Sequence, residues 1–427
     1  MFSASLNNLK IGVVGLGYVG LPLAVHFAQH VSVVGFDISG KRVAELKAGQ
    51  DRTREVSPAE LREARNLSFS TDPQDLGSVN FFIVTVPTPI NHALQPDLSM
   101  LEKASAVVGQ VLKKGDIVVY ESTVYPGATE ECCVPILANV SGLVFNEDFF
   151  VGYSPERVNP GDGGHRLSQI MKITSGSTPE AAHFIDQVYS QIITAGTHKV
   201  SSIRVAEASK VIENIQRDVN IALVNELARL FKKMDLETRE ILEAAGTKWN
   251  FHKYVPGLVG GHCIGVDPYY LTHKAQSIGF HPEIILAGRR INDGMAEWVA
   301  SDVIRTMARR KLQVGEARIL VMGVTFKENC PDIRNSKVVD LVRELKALAG
   351  DVAVYDPVVD PGDVREEFGI ELLADLGERK FEAIVLAVRH DQIVGLGPER
   401  LRSMLVPNGI VYDLKQVLPV EATDARV

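Results

Sequence analysis

One cysteine stands in a setting that suggests covalent chemistry. Cys263 lies in the segment PGLVGGHCIGVDP, with glycines on both sides, and Asp267 follows it by four residues. Glycines let a backbone close around a ligand, and a carboxylate beside a thiol provides a base for its activation. Taken alone, Cys263 is equally well explained as a small buried apolar residue. Its surroundings favour a reactive thiol.

A lysine and an asparagine form a second candidate pair. Lys210 and Asn214 are four residues apart in a stretch with helical spacing, so their side chains share one face of the helix. Taken alone, the pair is more typical of a solvated polar stripe on that helix. The pair acquires a functional interpretation only together with the motifs described below.

A dinucleotide-binding pattern stands near the N-terminus. Gly15, Gly17 and Gly20 match G-x-G-x-x-G, after a predicted strand and at the start of a predicted helix, which is the context the motif requires. The three glycines permit the turn, the approach of a diphosphate and close helix packing. Asp37 ends the next strand, where an acid binds a ribose hydroxyl and favours NAD over NADP. Arg42 is a nearby cation that could instead accept a 2′-phosphate.

The elements around these residues predict an α/β protein. Short apolar strands alternate with amphipathic helices up to about residue 200, as in βαβ units of a parallel sheet. Residues 202–234 contain no Pro or Gly and predict one long helix, and a further helix is predicted from about residue 287 to 310. Strand and helix alternate again over about 315–420. We therefore expect two Rossmann-like, doubly wound parallel-sheet domains joined by a central long-helix domain, with boundaries at 1–200, 201–312 and 313–427.

Composition excludes several classes of function. The chain has 427 residues, 45% hydrophobic and 23% charged, with a net charge of −8. That charge disfavours a broad nucleic-acid surface, and the apolar runs are too short to span a membrane. The four cysteines show no spacing typical of a metal site. We expect a reduced, cytoplasmic protein without a bound metal.

The motifs together resemble the UDP-sugar 6-dehydrogenase family, and within it the branch that oxidises UDP-N-acetylhexosamines. Seven segments carry this resemblance in order along residues 12–336: GLGYVGLP, TVPTP, ESTVYPGAT, SPERVNPG, KVIENIQRDVNIALVNE, GLVGGHCIGVDPYYL and GVTFKENCPDIRNS. The SPERVNPG and GGHCIGVDPYYL segments are the ones most similar to the N-acetylhexosamine branch. The resemblance implies an NAD-dependent enzyme that supplies polysaccharide synthesis.

The resemblance also implies a four-electron oxidation of C6. Two hydride transfers convert the alcohol to an acid, and a thiolate holds the intermediate as a thiohemiacetal and then a thioester. By this resemblance Cys263 is the nucleophile, Asp267 assists proton movement, and Lys210 with Asn214 stabilises the oxyanion. Glu156 is the base for hydrolysis of the thioester.

The remaining implied positions bind cofactor or substrate. Thr123 is expected to position a water close to the nicotinamide. The other implied cofactor contacts are Tyr18, Val19, Pro87, Thr88, Ser122 and Arg334. The other implied substrate contacts are Arg157, Tyr254, Gly257, Gly260, Arg289, Phe326 and Lys327. Asp332 is expected to hold Arg334. One position departs from the family pattern, since Val255 stands where a basic residue often precedes PGLVGGHC.

Two other functions stay open on the sequence alone. A two-electron dehydrogenase of the 6-phosphogluconate or β-hydroxyacid type also carries Lys and Asn four residues apart, but it needs neither Cys263 nor a third domain. A non-catalytic UDP-sugar sensor would tolerate the loss of Cys263. The substrate order we expect is UDP-GlcNAc, then UDP-GalNAc, with UDP-ManNAc and UDP-glucose as alternatives. The long helix is expected to form a homodimer.

Overall fold

The chain forms two compact units in a computed structural model that describes residues 5–91, 93–158, 167–261 and 264–427. The first unit comprises Met1–Glu213 and Tyr269–Phe280, and the second comprises Asn214–Pro268 and His281–Val427. Cys263 lies outside the described residues, and its role as nucleophile stays a prediction. The three-domain division stays a prediction.

The first unit is built on an eight-stranded sheet in the order β3-β2-β1-β4-β5-β6-β7-β8. Its strands are β1 Lys10–Val14, β2 Ser32–Phe36, β3 Leu67–Ser70, β4 Phe81–Val84, β5 Ile117–Tyr120, β6 Phe150–Tyr153, β7 Lys172–Gly176 and β8 Thr197–Lys199. All neighbours pair in parallel except β6 and β7. The predicted parallel sheet therefore contains one antiparallel junction.

Helices cover both faces of this sheet, as a parallel sheet with buried strands requires. They are α1 Gly20–Phe27, α2 Gly40–Lys47, α3 Pro58–Glu63, α4 Ser99–Val111, α5 Val134–Ser141 and α6 Pro179–Ser190. Alternate side chains of the strands enter opposite cores, for example Phe81 with α1 and α6, and Phe82 with α4 and α5. The unit is therefore doubly wound, as predicted.

Long helices connect the first sheet to the next. They are α7 Ile203–Lys233, α8 Thr238–Ala245, α9 Asp267–Ser277, α10 Glu283–Asp293 and α11 Met295–Arg309. α7 agrees with the helix predicted over 202–234, and it begins in the first unit and continues in the second. The helix predicted from about 287 to 310 is two helices, because the chain breaks at Gly294.

The second unit contains a smaller sheet of five parallel strands, in the order β10-β9-β11-β12-β13. These are β9 Arg318–Met322, β10 Asp351–Tyr355, β11 Phe381–Leu386, β12 Leu405–Asp413 and β13 Ala425–Arg426. The helices that follow α11 are α12 Lys337–Leu348, α13 Pro361–Phe368, α14 Asp391–Val394 and α15 Gly397–Ser403. The predicted fold class, two Rossmann-like sheets with a central helical region, is confirmed. Within the described ranges, no helix is both long and apolar enough to cross a bilayer.

Candidate active site

The glycine loop after β1 has the shape that a dinucleotide diphosphate needs. Gly15 adopts φ +96°, and its N–H donates to the carbonyl of Phe36 at 2.8 Å. A Cβ at residue 20 would lie 1.9 Å from the carbonyl oxygen of Gly15, whereas a Cβ at residue 17 would meet nothing within 4 Å. Gly20 therefore permits close packing of the turn, and the open space at Gly17 lets an anion approach the start of α1. The residues fit NAD.

Asp37 and Arg42 have different environments. Asp37 follows β2 and accepts the backbone N–H groups of Leu16 and Ser39, both at 2.9 Å, while staying half-buried. Arg42 is buried, donates from Nε to the carbonyl of Leu16 at 2.9 Å, and pairs with Asp51 at 2.8 Å. Arg42 thus supports the glycine loop through Leu16. Because Arg42 is buried and paired with Asp51, it does not offer a cation to a 2′-phosphate.

The loops after β4 and β5 are joined to each other. Thr88 donates from Oγ1 to the carbonyl of Thr123 at 2.7 Å, and Ser122 donates from Oγ to the carbonyl of Val86 at 2.6 Å. Tyr270 on α9 is fully buried and donates to the carbonyl of Thr88 at 2.9 Å. These bonds fix Pro87–Thr88 and Ser122–Thr123 at the carboxyl ends of parallel strands, where open α/β sheets bind ligands.

Glu207 on α7 fastens the end of the same β5 loop. Its carboxylate accepts the N–H of Gly127 at 2.5 Å and the N–H of Thr129 at 2.9 Å, and its side chain is fully buried. Burial raises the pKa of Glu207 to about 7, although the backbone donors oppose that shift. Glu207 lies three residues before Lys210, so one helical turn carries both groups.

Glu156 and Lys210 face each other in a buried environment of the first unit. Oε2 of Glu156 lies 3.9 Å from Nζ of Lys210. Oε1 is buried and has no hydrogen-bond partner among the described residues. Burial raises the pKa of the Glu156 carboxyl, and the cations of Lys210 and Lys172 offset part of that shift. Its neighbour Arg157 pairs with Glu213 at 2.7 Å.

A second buried charge pair lies beside Glu156. Lys172 contacts Glu121 at 2.5 Å and donates to the carbonyl of Pro155 at 2.9 Å. Tyr189 donates to the other oxygen of Glu121 at 2.5 Å. Because every member has a partner, the pair is tolerated in the core, and it holds the backbone directly before Glu156.

In the second unit, Asn214 and Asp267 are in direct contact. Nδ2 of Asn214 donates to Oδ2 of Asp267 at 2.6 Å, and both side chains are buried. This bond ties α7 to the first residue of α9, directly after the glycine-rich loop. Lys210 and Asn214 are one turn apart on α7, as predicted, and neither belongs to a solvated stripe.

The glycine-rich loop is held from two sides. The side-chain amide of Asn225 accepts the N–H of Gly257 at 2.8 Å and donates to its carbonyl at 3.1 Å. A Cβ at residue 260 would lie 2.5 Å from the carbonyl oxygen of Asn335, and one at residue 261 would lie 2.7 Å from the ring of Phe326. These glycines are therefore required by close packing against the segment that follows β9.

That segment lines a cleft with an unexpected lysine. The cleft is lined by Leu258, Gly260, Thr325, Phe326, Ser336, Lys337, Val338, Ala387, Val388 and Lys415. Lys415 follows β12, is half-buried and makes no ion pair with a described carboxylate, and burial lowers its pKa. Its Nζ lies 3.8 Å from the place a Cβ would occupy at residue 257. It thus adds a cation facing the glycine-rich loop.

The other predicted substrate and cofactor contacts are distributed around the second unit. As predicted, Asp332 holds Arg334, through two bonds of 2.9 and 2.6 Å. Tyr254 accepts a hydrogen bond from Gln216 at 2.8 Å. Arg289, an implied substrate contact, is buried and pairs with Asp218 at 2.6 Å within its own unit. In the described part of the chain, no group of three or more His, Cys, Asp or Glu is placed to hold a metal ion.

Comparison with known proteins identifies the family. Domains of the UDP-glucose/GDP-mannose dehydrogenase family match in order: the NAD binding domain at residues 9–193, the central domain at 204–294 and the UDP binding domain at 320–420. The chain belongs to the UDP-glucose/GDP-mannose dehydrogenase family. It is an NAD-dependent oxidoreductase, and NAD is its cofactor.

Similar members of this family extend over the whole chain. A UDP-N-acetyl-D-glucosamine 6-dehydrogenase of Pseudomonas aeruginosa is 60% identical over 99% of this chain and 100% of its own length. One of the same name from Salmonella typhi is 56% identical over 99% of both chains. The solved structure of a UDP-D-ManNAc dehydrogenase from Pyrococcus horikoshii superposes with a TM-score of 0.88 at 31% identity, covering 96% of each chain.

Four residues that support the loops described above are not predicted from the sequence. Glu207 could have been noticed from its position one turn before Lys210 on the same face. Lys415 follows a strand of a parallel sheet, which is a ligand-binding edge. Asn225 and Tyr270 carry no local signal, because their partners are backbone atoms of residues far away in the chain.

Proposed function

We propose that this chain oxidises C6 of a UDP-N-acetylhexosamine, with UDP-GlcNAc as the preferred substrate, to the corresponding uronic acid. The observation that carries the proposal is the buried Glu156 beside Lys210. A dehydrogenase that only removes hydride has no need of a hydrolytic base, whereas an enzyme that forms a thioester needs one. A carboxylate with a raised pKa, one of whose oxygens has no hydrogen-bond partner in the described part of the chain, suits that task.

The oxidation half of the reaction assigns roles to four residues. When bound at the glycine loop after β1, NAD would supply the hydride acceptor for each of the two successive oxidations of C6. Cys263 attacks the C6 aldehyde through its thiolate and so retains the intermediate covalently. Lys210 and Asn214 donate to the oxygen that carries the negative charge. Asp267 orients the amide of Asn214 through their 2.6 Å bond and assists proton transfer.

The hydrolysis half relies on Glu156. In this proposal Glu156 removes a proton from a water that Thr123 positions, and the water attacks the thioester. The acid product leaves and the thiolate of Cys263 is regenerated. Lys172 supports this step indirectly, because it binds the carbonyl of Pro155 and contributes positive charge near Glu156.

Substrate recognition belongs to the UDP binding domain in this proposal. Lys327 and Lys415 bind the diphosphate, and Phe326 with Tyr254 packs against the uracil. Gly257 and Gly260 let the loop backbone approach the nucleotide. In this proposal Arg157 contacts the sugar and Arg334 contacts the cofactor. Because Arg289 is buried in an ion pair, we assign it a supporting role.

The relatives support the choice of sugar. The two relatives at 60% and 56% identity are both named for UDP-N-acetyl-D-glucosamine, and those named for the mannosamine epimer are more distant, at 35% and 30%. UDP-GalNAc stays the second choice, since the epimers differ by one hydroxyl orientation. We place the enzyme in the cytoplasm, where it would supply synthesis of a surface polysaccharide.

A homodimer formed through α7 is part of the proposal. Four apolar side chains on this helix are largely exposed: Val205, Ile212, Leu223 and Leu230. Their spacings of seven, eleven and seven residues place them within about 20° of one line along an α-helix. An apolar stripe of this length on an isolated chain favours burial against a second copy.

The stoichiometry of NADH tests the proposed function. We expect two NADH per molecule of UDP-GlcNAc run to completion, and slower or no turnover with UDP-GalNAc, UDP-ManNAc and UDP-glucose. One NADH per substrate would indicate the two-electron dehydrogenase instead. No NADH with any of the four would favour the sensor.

A further inference from the structure

His390 is a fully buried histidine that the proposed reaction does not use. It lies after β11, at the residue that precedes α14, and its side chain has no exposed surface. A histidine without solvent contact must satisfy both ring nitrogens inside the protein. The partners of those nitrogens show what it holds.

Both nitrogens of His390 bind the segment that follows β9. Nδ1 accepts the backbone N–H of Asn329 at 3.0 Å. The ring proton therefore resides on Nε2, which faces Oδ2 of Asp356 and Oγ1 of Thr325, each at 3.1 Å. Thr325 donates its own hydroxyl proton to the carbonyl of Lys327 at 2.8 Å, which leaves its oxygen able to accept.

This arrangement fixes a strained stretch of chain. Asn329 adopts φ +54°, in the left-handed region that non-glycine residues rarely enter. Its side chain accepts the N–H of Asp391 at 3.0 Å, so both its backbone and its side chain are tied to the residues at 390–391. Phe326 and Lys327 lie between the two anchors at Thr325 and Asn329.

The loop after β1, in the NAD binding domain, provides a reference for the loop after β9. Gly323 corresponds to Gly15: the φ angles are +89° and +96°, and each N–H donates at 2.8 Å to the last carbonyl of the adjacent strand. Asp356 corresponds to Asp37, since each accepts the N–H of the residue after that glycine, at 2.7 and 2.9 Å. The two loops therefore have the same framework.

The loops differ where a diphosphate would approach. Counting from the shared glycine, Gly17 corresponds to Thr325 and Gly20 to Glu328. A side chain thus replaces the open space of the first loop, and its hydroxyl faces His390. Asp356 is the counterpart of Asp37, which is expected to bind a ribose hydroxyl, but Asp356 is buried and its carboxylate contacts the same imidazole. Burial opposes its ionisation, but bonds from His390, Val324 and Val358 hold the pKa of Asp356 below its usual value.

We propose that His390 is a positioning residue for the nucleotide sugar: together with Asp356 it converts a dinucleotide-type loop into a rigid support that presents Phe326 and Lys327 to the substrate. This inference rests on the proposed function, because it assigns the cleft of the second unit to the UDP part of the substrate. His390 acts through the loop and touches no reacting atom.

The test is steady-state kinetics of His390 variants in the full-length enzyme. For His390→Phe we expect the KM for UDP-GlcNAc to rise about tenfold, since two loop anchors are lost, while the KM for NAD and kcat change less than about twofold. His390→Asn keeps an acceptor for the Asn329 N–H and should recover most of the loss. His183→Phe, at an exposed position of α6, is the matched control.

A second, milder variant tests the same inference in case His390→Phe does not fold. Thr325→Val removes only the hydroxyl and should raise the same KM by a smaller factor. Equal KM values in wild type and all variants would overturn the inference, as would a parallel loss of NAD and UDP binding with no rescue by Asn. Calorimetry with UDP separates this inference from the proposed function. If the wild-type enzyme binds no UDP, both are overturned. If His390→Phe binds UDP as tightly as the wild type, only the role of His390 is overturned.

Discussion

At the scale of residues, Glu156 is distinguished from an ordinary acid by its surroundings. It is buried, one oxygen lacks a partner in the described structure, and cations of Lys210 and Lys172 lie close enough to offset part of the cost of its charge. The Glu121–Lys172 pair is neutral as a whole and fixes the neighbouring backbone. The carboxyl group that we propose as the base for hydrolysis is thereby kept out of bulk water and held in place.

The proposed nucleophile, Cys263, gives the sharpest prediction at this scale. Cys263→Ser should reduce formation of the uronic acid by about a hundredfold or more, because a hydroxyl is a far weaker nucleophile than a thiolate at neutral pH. The measurement is product analysis by chromatography after complete conversion by the wild type. Cys132→Ser, at a half-buried position of the first unit, is the control and should retain activity. An unchanged yield with Cys263→Ser would rule out the covalent mechanism.

At the scale of elements, α7 contributes buried polar groups to each of the two units. It carries Glu207, Lys210 and Asn214 at successive turns and Asn225 three turns further on, and each side chain meets a different loop or helix start. A long helix without Gly or Pro suits this function, because its regular backbone keeps the spacing of these groups constant. In the first unit α7 therefore fixes the β5 loop, and in the second unit it fixes the glycine-rich loop and the first residue of α9.

Glu207 gives a pH-dependent prediction for this element. Its pKa of about 7 in the folded chain lies above its usual 4.5, so its contribution to stability is fully present below about pH 4.5 and is lost as the pH rises through 7. The negative charge of nearby Glu130 also raises the pKa of Glu207. The Tm of the Glu207→Gln variant minus the Tm of the wild type should therefore be more positive at pH 8.5 than at pH 5.5.

Differential scanning fluorimetry at the two pH values measures this difference. Glu102→Gln, at an exposed position of α4, is the control and should shift the Tm equally at both. An equal shift for Glu207→Gln at both pH values would show that Glu207 does not titrate in this range.

At the scale of the whole molecule, we expect two copies of the chain to associate through the exposed stripe on α7. Light scattering after size exclusion should give twice the chain mass. Leu223→Glu combined with Leu230→Glu should give the monomer, because both leucines are already exposed in the single chain and charge on the stripe opposes association. Leu348→Glu, an exposed leucine of α12, should leave the dimer intact. A monodisperse wild-type monomer would contradict the prediction.

Much of the architecture is already specified by local sequence. The buried apolar runs of β1, β4 and β5 predict parallel strands, and the absence of Gly and Pro from 202–234 predicts α7 nearly to its ends. The glycine spacing and Asp37 predict the cofactor site, because those features depend only on a turn and the strand beside it. The sequence does not predict that the helix breaks at Gly294 into α10 and α11, since a single glycine in a helical pattern is usually tolerated.

What only the tertiary structure decided is which partners each polar group has. Arg42 supports the glycine loop, Arg289 pairs inside its own unit, and Asn225, Tyr270 and His390 bind backbone atoms that lie between 32 and 182 residues away along the chain. No periodicity or motif encodes such pairs, because each depends on folding two distant segments together and on excluding water from between them. The sequence by itself determined the fold class, the cofactor and the family; burial and packing decided which side chains are available for chemistry and which are structural.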